Sequence, residues 1–141
     1  MAKYEIRNGV GIIPEGVTEV EGYAFWEDSS LLSVIIPNSV TKIGEYAFCG
    51  CSSLEVIEVP DSVIEIEKYA FSMCFNLRNV TLPRCLKVIE EGLFWQSTSL
   101  ECLEIPSGVE IIGEGAFAEC SSLMQVFIPN SVSKISEQAF S

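Results

Sequence analysis

The hydrophobic and polar positions of this sequence recur with a step of 23 residues. Ile57 and Val59 alternate with Val56 and Glu58, Pro60 follows at once, and the arrangement returns one step before and one step after. A repeat of this length is one coil that buries its apolar face only by stacking on its neighbours, so the sequence predicts a solenoid. The step is kept by every proline and by six of the eight phenylalanines: Pro14, Pro37, Pro60, Pro83, Pro106 and Pro129, and Phe25, Phe48, Phe71, Phe94, Phe117 and Phe140.

Each predicted coil begins with a short strand and returns through a compact bend. The alternation around Ile57 and Val59 is typical of a strand with one buried face, and Pro60 ends that strand because proline has no N–H to donate. Residues 62–71 then cross back over the coil, with a tight helical or 3₁₀ turn predicted at residues 69–71. Stacked coils lay their strands about 4.8 Å apart, which predicts a parallel sheet roughly 25 to 30 Å wide.

The repeat covers nearly the whole chain and predicts a single domain of residues 1–141. Residues 1–12 are interpreted as an N-terminal cap, in which residues 4–6 form a short strand and Asn8 and Gly9 a turn. The fourth repeat departs from the others, with Leu93 in place of alanine and Ser97 in place of cysteine, so a local change of curvature is expected there. Repeats start near residues 13, 36, 59, 82, 105 and 128, and the last is incomplete.

Two stretches show the repeat most clearly, LEVIEVPDSVIEIEKYAFSMC from Leu54 and LECLEIPSGVEIIGEGAFAEC from Leu100. Their pattern, L-x-x-I-x-(L/I/V)-P-x-x-V-x-x-I-x-x-x-A-F-x-x-C, resembles the BspA-type leucine-rich repeats, also called the Treponema pallidum type, of bacterial surface proteins and some protists. The resemblance implies an α/β leucine-rich repeat solenoid, a horseshoe-like right-handed superhelix of about six repeats. Its parallel sheet would line the concave face, and short helical or 3₁₀ turns would line the convex side.

The same resemblance implies a function in recognition. Members of that family look like adhesion and protein-recognition modules, several of them binding host matrix proteins or other cells, and they offer no catalytic site or cofactor to carry over. We therefore expect a non-catalytic protein–protein interaction or cell-adhesion module of a bacterial surface protein, with a host or cell-surface protein as partner. The alternative is a self-associating structural solenoid, a homodimer formed through the open C-terminal repeat.

The charge of the chain narrows the choice of partner. Twenty acidic residues against eight basic ones give a net charge of -12, which repels the phosphates of nucleic acids and anionic membrane surfaces. The apolar stretches are much shorter than the roughly 20 residues of a membrane helix. The first ten residues lack the apolar core and cleavage site of a secretory signal peptide. The protein is thus expected either to stay inside the cell or to reach the surface by a signal that this sequence does not include.

Three of the six cysteines share one column of the repeat: Cys51, Cys74 and Cys120. We expect them to be small buried side chains or weak hydrogen-bond partners inside the coil. Two alternatives stay open. Neighbouring coils place Cys51 and Cys74 about 5 Å apart at Cα, within reach of a disulfide. A zinc site formed with Cys49 is disfavoured, because the chain has no histidine and the cysteine pair has no second half.

Catalysis would require a nucleophile with its base, or paired carboxylates in a cleft. Histidine is absent. Glu58 and Glu104 share an outward column at a separation of about 10 Å, close to that of an inverting glycosidase pair, which leaves a glycan-processing enzyme as an alternative. Carboxylates on an open sheet are ordinarily solvated charge. The sequence therefore predicts no enzyme and no catalytic or metal-binding residue.

The concave face is the predicted binding site, because solenoids use such extended surfaces for recognition. Outward Ile35, Val56, Met124 and Phe127 are unusual on a surface, and contiguous exposed apolar patches mark binding sites. Edge packing of a short solenoid is the other explanation. The candidate protein-binding residues are Leu32, Ile35, Glu55, Val56, Glu58, Arg78, Thr81, Glu101, Glu104, Met124 and Phe127.

Two tryptophans stand outside the repeat, in the column after the phenylalanines. Trp26 and Trp95 could anchor a partner on the convex side or could simply cover the turn. Tyr23, Tyr46 and Tyr69 lie on the same side with a step of 23 residues, and we interpret them as a structural stack.

Overall fold

The computed structural model describes residues 3–141, and within them the chain forms thirteen short β-strands and no helix. The first strand, β1, is Glu5–Arg7. The other twelve strands alternate between two sides of a β-solenoid of about five turns. The strands of the first side form the front sheet: β2 Val10–Ile12, β4 Ser33–Ile35, β6 Val56–Glu58, β8 Asn79–Thr81, β10 Cys102–Glu104 and β12 Gln125–Phe127. We number the coils 1 to 6 by these strands.

The opposite side of each coil is also a strand, and these strands form the back sheet. They are β3 Glu19–Val20, β5 Lys42–Ile43, β7 Glu65–Ile66, β9 Val88–Ile89, β11 Ile111–Ile112 and β13 Lys134–Ile135. All pairings between coils are parallel and join residues 23 positions apart, as Ile57 with Val80.

Hydrogen bonding does not run through either sheet without a break. The front strands are bonded in pairs, β2 with β4, β6 with β8 and β10 with β12, and the back sheet divides into β3–β5–β7 and β9–β11–β13. The back sheet therefore has one interruption, between coils 3 and 4, in the repeat whose sequence departs from the others.

The turn that follows each back strand joins the coils in a third way. The N–H groups of Tyr23, Phe25 and Glu27 each donate to a carbonyl of the next coil, at 3.0, 2.7 and 2.7 Å. At least two of these three bonds recur at every later interface, and all of them point in the same direction along the solenoid. We call this array the turn ladder.

The turn ladder explains why the predicted helical or 3₁₀ turn is wrong. A 3₁₀ helix needs consecutive bonds to the residue three positions back. Here Ala24, Trp26 and Asp28 make such bonds, but every second N–H between them donates to the next coil instead. The fold is accordingly a β-solenoid with strands on both sides, and the α/β class and the single predicted sheet are corrected.

The turn also requires left-handed backbone at fixed positions. Tyr23, Tyr46 and Tyr69 have φ angles of 62°, 58° and 59°, a region that costs energy for residues with a side chain. Gly92 and Gly115 occupy the same column in coils 4 and 5. The three tyrosine rings stack at 5.1 Å between centroids, as predicted.

A ladder of phenylalanines fills the core behind this turn. Phe25, Phe48, Phe71, Phe94 and Phe117 are fully or almost fully buried, and their ring centroids lie 5.2 to 5.7 Å apart. Ile57 and Val59 are buried too, whereas Val56 and Glu58 are exposed, which confirms the predicted alternation. The predicted core and its 23-residue register are therefore confirmed.

The N-terminal strand caps the first coil. Strand β1 pairs antiparallel with β2 through a turn at Asn8 and Gly9, whose φ angles of 51° and 81° are those of a two-residue hairpin. The Lys3 N–H donates to the Ala24 carbonyl at 2.9 Å, and so occupies the first acceptor of the turn ladder. The strand covers residues 5–7, one position later than predicted, while residues 1 and 2 of the predicted cap lie outside the described residues.

The cysteine column is part of the core and makes a specific hydrogen bond. Each side chain donates to the carbonyl of the phenylalanine in the preceding coil, and Ser97 replaces the thiol without loss of that bond. Cys51 and Cys74 are free, buried thiols, so they are not joined as a disulfide. The pairs are Cys51 with Phe25 (3.0 Å), Cys74 with Phe48 (3.1 Å), Ser97 with Phe71 (2.8 Å) and Cys120 with Phe94 (3.0 Å).

Burial controls the acidity of these thiols. It raises the pKa of Cys51 to about 12 and that of Cys120 to about 11, and it raises the pKa of Cys74 well above its usual value. Cys120 is only partly buried, unlike the other two, so the expected burial is complete for Cys51 and Cys74 alone, although the Cys120 thiol makes the same hydrogen bond.

The phenylalanine ladder predicts a large difference between two phenylalanines. Phe71→Ala should lower the free energy of unfolding by about 3 to 5 kcal/mol, because it opens a cavity in a fully buried column. Phe75→Ala removes the same atoms at a position that is 43% exposed, so its effect should be much smaller. Urea unfolding followed by circular dichroism measures both, and equal losses of stability would contradict the register.

The cysteines should react with a thiol reagent in a fixed order. Cys85 and Cys102 are exposed and should be labelled first, whereas Cys51 and Cys74 should resist labelling until denaturant is added, because burial disfavours the thiolate that reacts. Cys120 should fall between them. Mass spectrometry of peptides from partially labelled protein gives the order, and early labelling of Cys74 would rule out the buried column.

Candidate protein-binding face

The first and third residues of each front strand carry the outward side chains. In β6, Val56 and Glu58 are exposed on either side of buried Ile57, and β10 repeats this with Cys102 and Glu104 around Leu103. In coils 2 to 6 the residue before the front strand, such as Glu55 or Glu101, is exposed as well. We call the surface formed by these three columns the front face. All eleven candidate binding residues lie on it and are exposed: Leu32, Ile35, Glu55, Val56, Glu58, Arg78, Thr81, Glu101, Glu104, Met124 and Phe127.

The apolar residues of the front face form two groups rather than one contiguous flank. Leu32, Ile35 and Val56 lie together near the N-terminal end, and Ile35 is 63% exposed. Met124 and Phe127 lie near the other end, at 83% and 58% exposure. The column that contains Ile35 and Phe127 is occupied between them by Glu58, Thr81 and Glu104, as the 23-residue step requires. A polar belt therefore separates the two groups.

Carboxylates dominate that belt. Glu55, Glu58, Glu101 and Glu104 are exposed, and Arg78 lies between Glu55 and Glu101 in their column. Among residues 3–141, the ion pairs involve other carboxylates, those of Glu5, Glu19, Glu21, Asp61 and Glu67. The front-face carboxylates consequently have no cationic partner of their own within the described chain.

A groove runs along the proline edge of the front face in coils 4 to 6. It consists of two adjoining cavities of about 600 and 250 Å³, and both are lined by Arg84, Glu104 and Pro106. Phe127 and Ile128 form the apolar wall of the larger cavity, and Thr81 lines the smaller one. The groove thus combines a guanidinium, a carboxylate and an apolar surface next to three of the predicted binding residues.

Arg84 is held in place by the neighbouring coil. Its backbone N–H and its Nε donate to the two carboxylate oxygens of Asp61, at 2.9 and 2.8 Å. These hydrogen bonds from Arg84 lower the pKa of Asp61. Sequence reasoning missed Arg84 as a site residue. The sequence contained one signal for it: Arg84 is the residue directly after Pro83, and the residue after each of the other prolines is never basic.

The tryptophans pack against the ends of the tyrosine stack. Trp26 meets Tyr23 edge-on at 6.0 Å, and Trp95 meets Tyr69 edge-on at 6.4 Å. The Trp95 Nε1–H donates to Glu119 at 3.0 Å. Trp95 is half-buried and Trp26 is exposed. Both contacts fit the interpretation that the indole rings cover the turn.

The carboxylates considered for catalysis lie in an open arrangement. Glu58 and Glu104 are two coils apart in one column of the sheet, with Thr81 between them, and both are exposed. Glu104 lines the groove, but Glu58 does not. Within residues 3–141, moreover, no group of three or more cysteines, aspartates and glutamates is arranged to hold a metal ion. Nor does this part of the chain contain a helix long and apolar enough to cross a membrane.

Comparison with known families identifies the repeat. The family described as "BspA type Leucine rich repeat region" matches residues 13–141, in six copies. The chain belongs to the BspA-type leucine-rich repeat family. The predicted resemblance is confirmed, and the family is typically non-catalytic. No curated protein matches the sequence.

Solved structures of bacterial leucine-rich repeat proteins share the fold. The chain is 33% identical to the T. pallidum leucine rich repeat protein TpLRR over 91% of its own length, with a TM-score of 0.82. A leucine-rich repeat protein from Bacteroides ovatus is 30% identical over 89% of the chain, with a TM-score of 0.67. A leucine rich cell surface protein from Faecalibacterium prausnitzii is 25% identical over 94%, with a TM-score of 0.63.

The chain spans only part of these relatives. It corresponds to 69% of the T. pallidum protein, 56% of the F. prausnitzii protein and 39% of the B. ovatus protein. It thus resembles the repeat region of bacterial surface proteins of this type.

Proposed function

We propose that this BspA-type solenoid is a non-catalytic recognition module whose front face binds a protein at a cell surface, as an adhesion module does. The observation that carries the proposal is the front face itself, where exposed large apolar side chains flank carboxylates that have no ion-pair partner within the described chain. The similarity to a leucine rich cell surface protein supports the location. Typical members of the family are not enzymes, which favours binding over glycan processing.

The composition of the front face indicates the chemistry of the partner. Buried apolar anchors supply most of the energy of a protein interface. The most exposed large apolar side chains of the front face are Met124, Ile35 and Phe127. Glu55, Glu58, Glu101 and Glu104 favour a partner with lysine or arginine opposite them. The partner should therefore have a basic surface with apolar residues, and a host or bacterial surface protein is the class we propose.

Substitution of Phe127 should separate binding from stability. Phe127→Ala should weaken binding by about 1 to 2 kcal/mol, because the ring buries against the partner, while the melting temperature changes little because the ring is 58% exposed in the free protein. The immobilised chain is incubated with a detergent extract of cell-surface proteins, and the captured protein is then titrated against each variant. Trp26→Ala, in the turn and outside the front face, is the matched control.

Charge reversal and salt test the same face independently. Glu58→Lys and Glu104→Lys should each weaken binding, and affinity for the wild-type chain should fall as salt rises, because exposed charges are screened within about 10 Å at 0.1 M ionic strength. The proposal would be contradicted if neither charge reversal nor added salt changed the affinity while Trp26→Ala lowered it, because the site would then lie on the turn side.

Self-association is a second candidate, and one observation favours it. Ile128, Ile135 and Phe140 of coil 6 are exposed although they belong to columns that are buried in the preceding coils. A second copy that covered these residues would bury them. Light scattering after size exclusion would then give a dimer, and Ile135→Asp would convert it to a monomer. A monomeric wild-type chain would exclude this candidate and leave the front face unaffected.

A further inference from the structure

The interruption of the back sheet correlates with one column of the repeat, the residue that comes directly after each back strand. At four interfaces between coils, the residue of this column donates its N–H to a carbonyl of the preceding coil: Gly44 to Val20 (2.8 Å), Glu67 to Ile43 (2.9 Å), Gly113 to Ile89 (2.7 Å) and Ser136 to Ile112 (2.9 Å). The equivalent bond from Glu90 to Ile66, between coils 3 and 4, is absent from the described chain. The neighbouring bond from Lys87 to Ile64 is absent as well.

The same column explains where the bonds form. It consists of Glu21, Gly44, Glu67, Glu90, Gly113 and Ser136. Each bonded interface has a glycine on one side, and a Cβ at Gly44 or Gly113 would lie 2.4 or 2.7 Å from backbone nitrogen of the preceding coil. The interface between coils 3 and 4 is the one without a glycine, and both of its residues, Glu67 and Glu90, are carboxylates. Like charges directly opposite each other weaken a sheet.

The surroundings of Glu90 are strongly acidic. Burial and the carboxylates of Glu65, Glu67 and Glu91 raise the pKa of Glu90. In coil 2, the Lys42 Nζ lies 3.6 Å from a carboxylate oxygen of Glu67 and 3.7 Å from one of Glu19. Lys87 lines a cleft of about 280 Å³ at the interruption, together with Ile64 and Glu90. In coil 5 the residue opposite Glu90 is uncharged Gly113, so the repulsion acts toward coil 3.

The two coils remain joined at their other edges. Tyr69, Phe71 and Met73 keep all three bonds of the turn ladder, and strands β6 and β8 are paired on the front. Phe71 and Phe94 have the widest spacing of the phenylalanine ladder, 5.7 Å. Opening is therefore confined to the back, and the coils can close about the turn and the front.

We propose that the Glu67 and Glu90 carboxylates form an electrostatic hinge between coils 3 and 4, which closes the back sheet when either carboxylate is neutralised. The hinge lies between the two apolar groups of the front face, so its closure changes their relative position. Protonation of Glu90, or a basic side chain placed against its carboxylate, would close the back sheet in the same way. The hinge itself does not depend on the proposed binding function.

Hydrogen–deuterium exchange of two amides tests the hinge. In Glu90→Gln the N–H groups at positions 87 and 90 should exchange about two- to fivefold more slowly than in the wild type, as expected for relief of one like-charge pair. The amides of Glu110 and Gly113, which are bonded at the next interface, serve as the internal reference. Unchanged exchange in Glu90→Gln would overturn the proposal. If Glu90→Gly slows exchange and Glu90→Gln does not, side-chain bulk alone explains the interruption.

A matched control separates the pair from the overall charge. Glu110 directly precedes strand β11 of the back sheet and is exposed, and its column neighbours are Lys87 and Ser133. Glu110→Gln should give no gain of protection at positions 87 and 90, and an equal gain would assign the effect to the net charge of -12 and refute the hinge. The gains from Glu67→Gln and Glu90→Gln should not add fully in the double variant, because either change alone removes the repulsion between these two carboxylates.

The pH dependence follows from the direction of the shift. Because the pKa of Glu90 is raised in the folded chain, the folded state binds this proton more readily than the unfolded state, and stability from this group rises as the pH falls through that pKa. Protection at positions 87 and 90, corrected for intrinsic exchange, should increase as the pH is lowered from neutral toward the pKa of Glu90. This increase should disappear in Glu90→Gln, and its persistence there would count against Glu90.

Discussion

The hydrogen bonds of the turn ladder are the constraint on which the rest of the molecule depends. They join neighbouring coils at every interface, including those where the front or the back sheet is interrupted. They form only if the chain returns to the same point every 23 residues with left-handed backbone at the tyrosine column. Once that register is set, phenylalanines must stack on phenylalanines, and the stack buries the largest apolar side chains of the core.

The same register determines what the surface can do. Each coil contributes one residue to every outward column of the front face, so a surface pattern arises from differences between repeats. Phe127 and Ile35 stand in a column whose other members are polar, and this difference creates two apolar groups with carboxylates between them. The candidate binding face is thus a product of variation at positions that the packing leaves free.

Departures from the repeat carry the properties that distinguish this chain from a regular solenoid. Arg84 replaces an uncharged or acidic residue and is fixed by Asp61 in the coil before it. Glu90 stands where the next coil has a glycine, and the back sheet opens at that point. In both cases the effect of a single residue depends on the residue 23 positions before it, because neighbouring coils contact each other along the whole turn. A substitution in one repeat therefore alters first the contacts with the repeats on either side.

The sequence alone determined the solenoid, its 23-residue register, the phenylalanine ladder and the outward direction of the eleven front-face residues, because these follow from local periodicity. That those residues bind a partner stays a prediction. Only the tertiary structure decided that the return segment is a second sheet rather than a helical turn, since its N–H groups bond to another coil. It also decided that Asp61 holds Arg84. These features, like the opening at Glu67 and Glu90, depend on which atoms of neighbouring coils meet, and the periodicity of the sequence does not specify that.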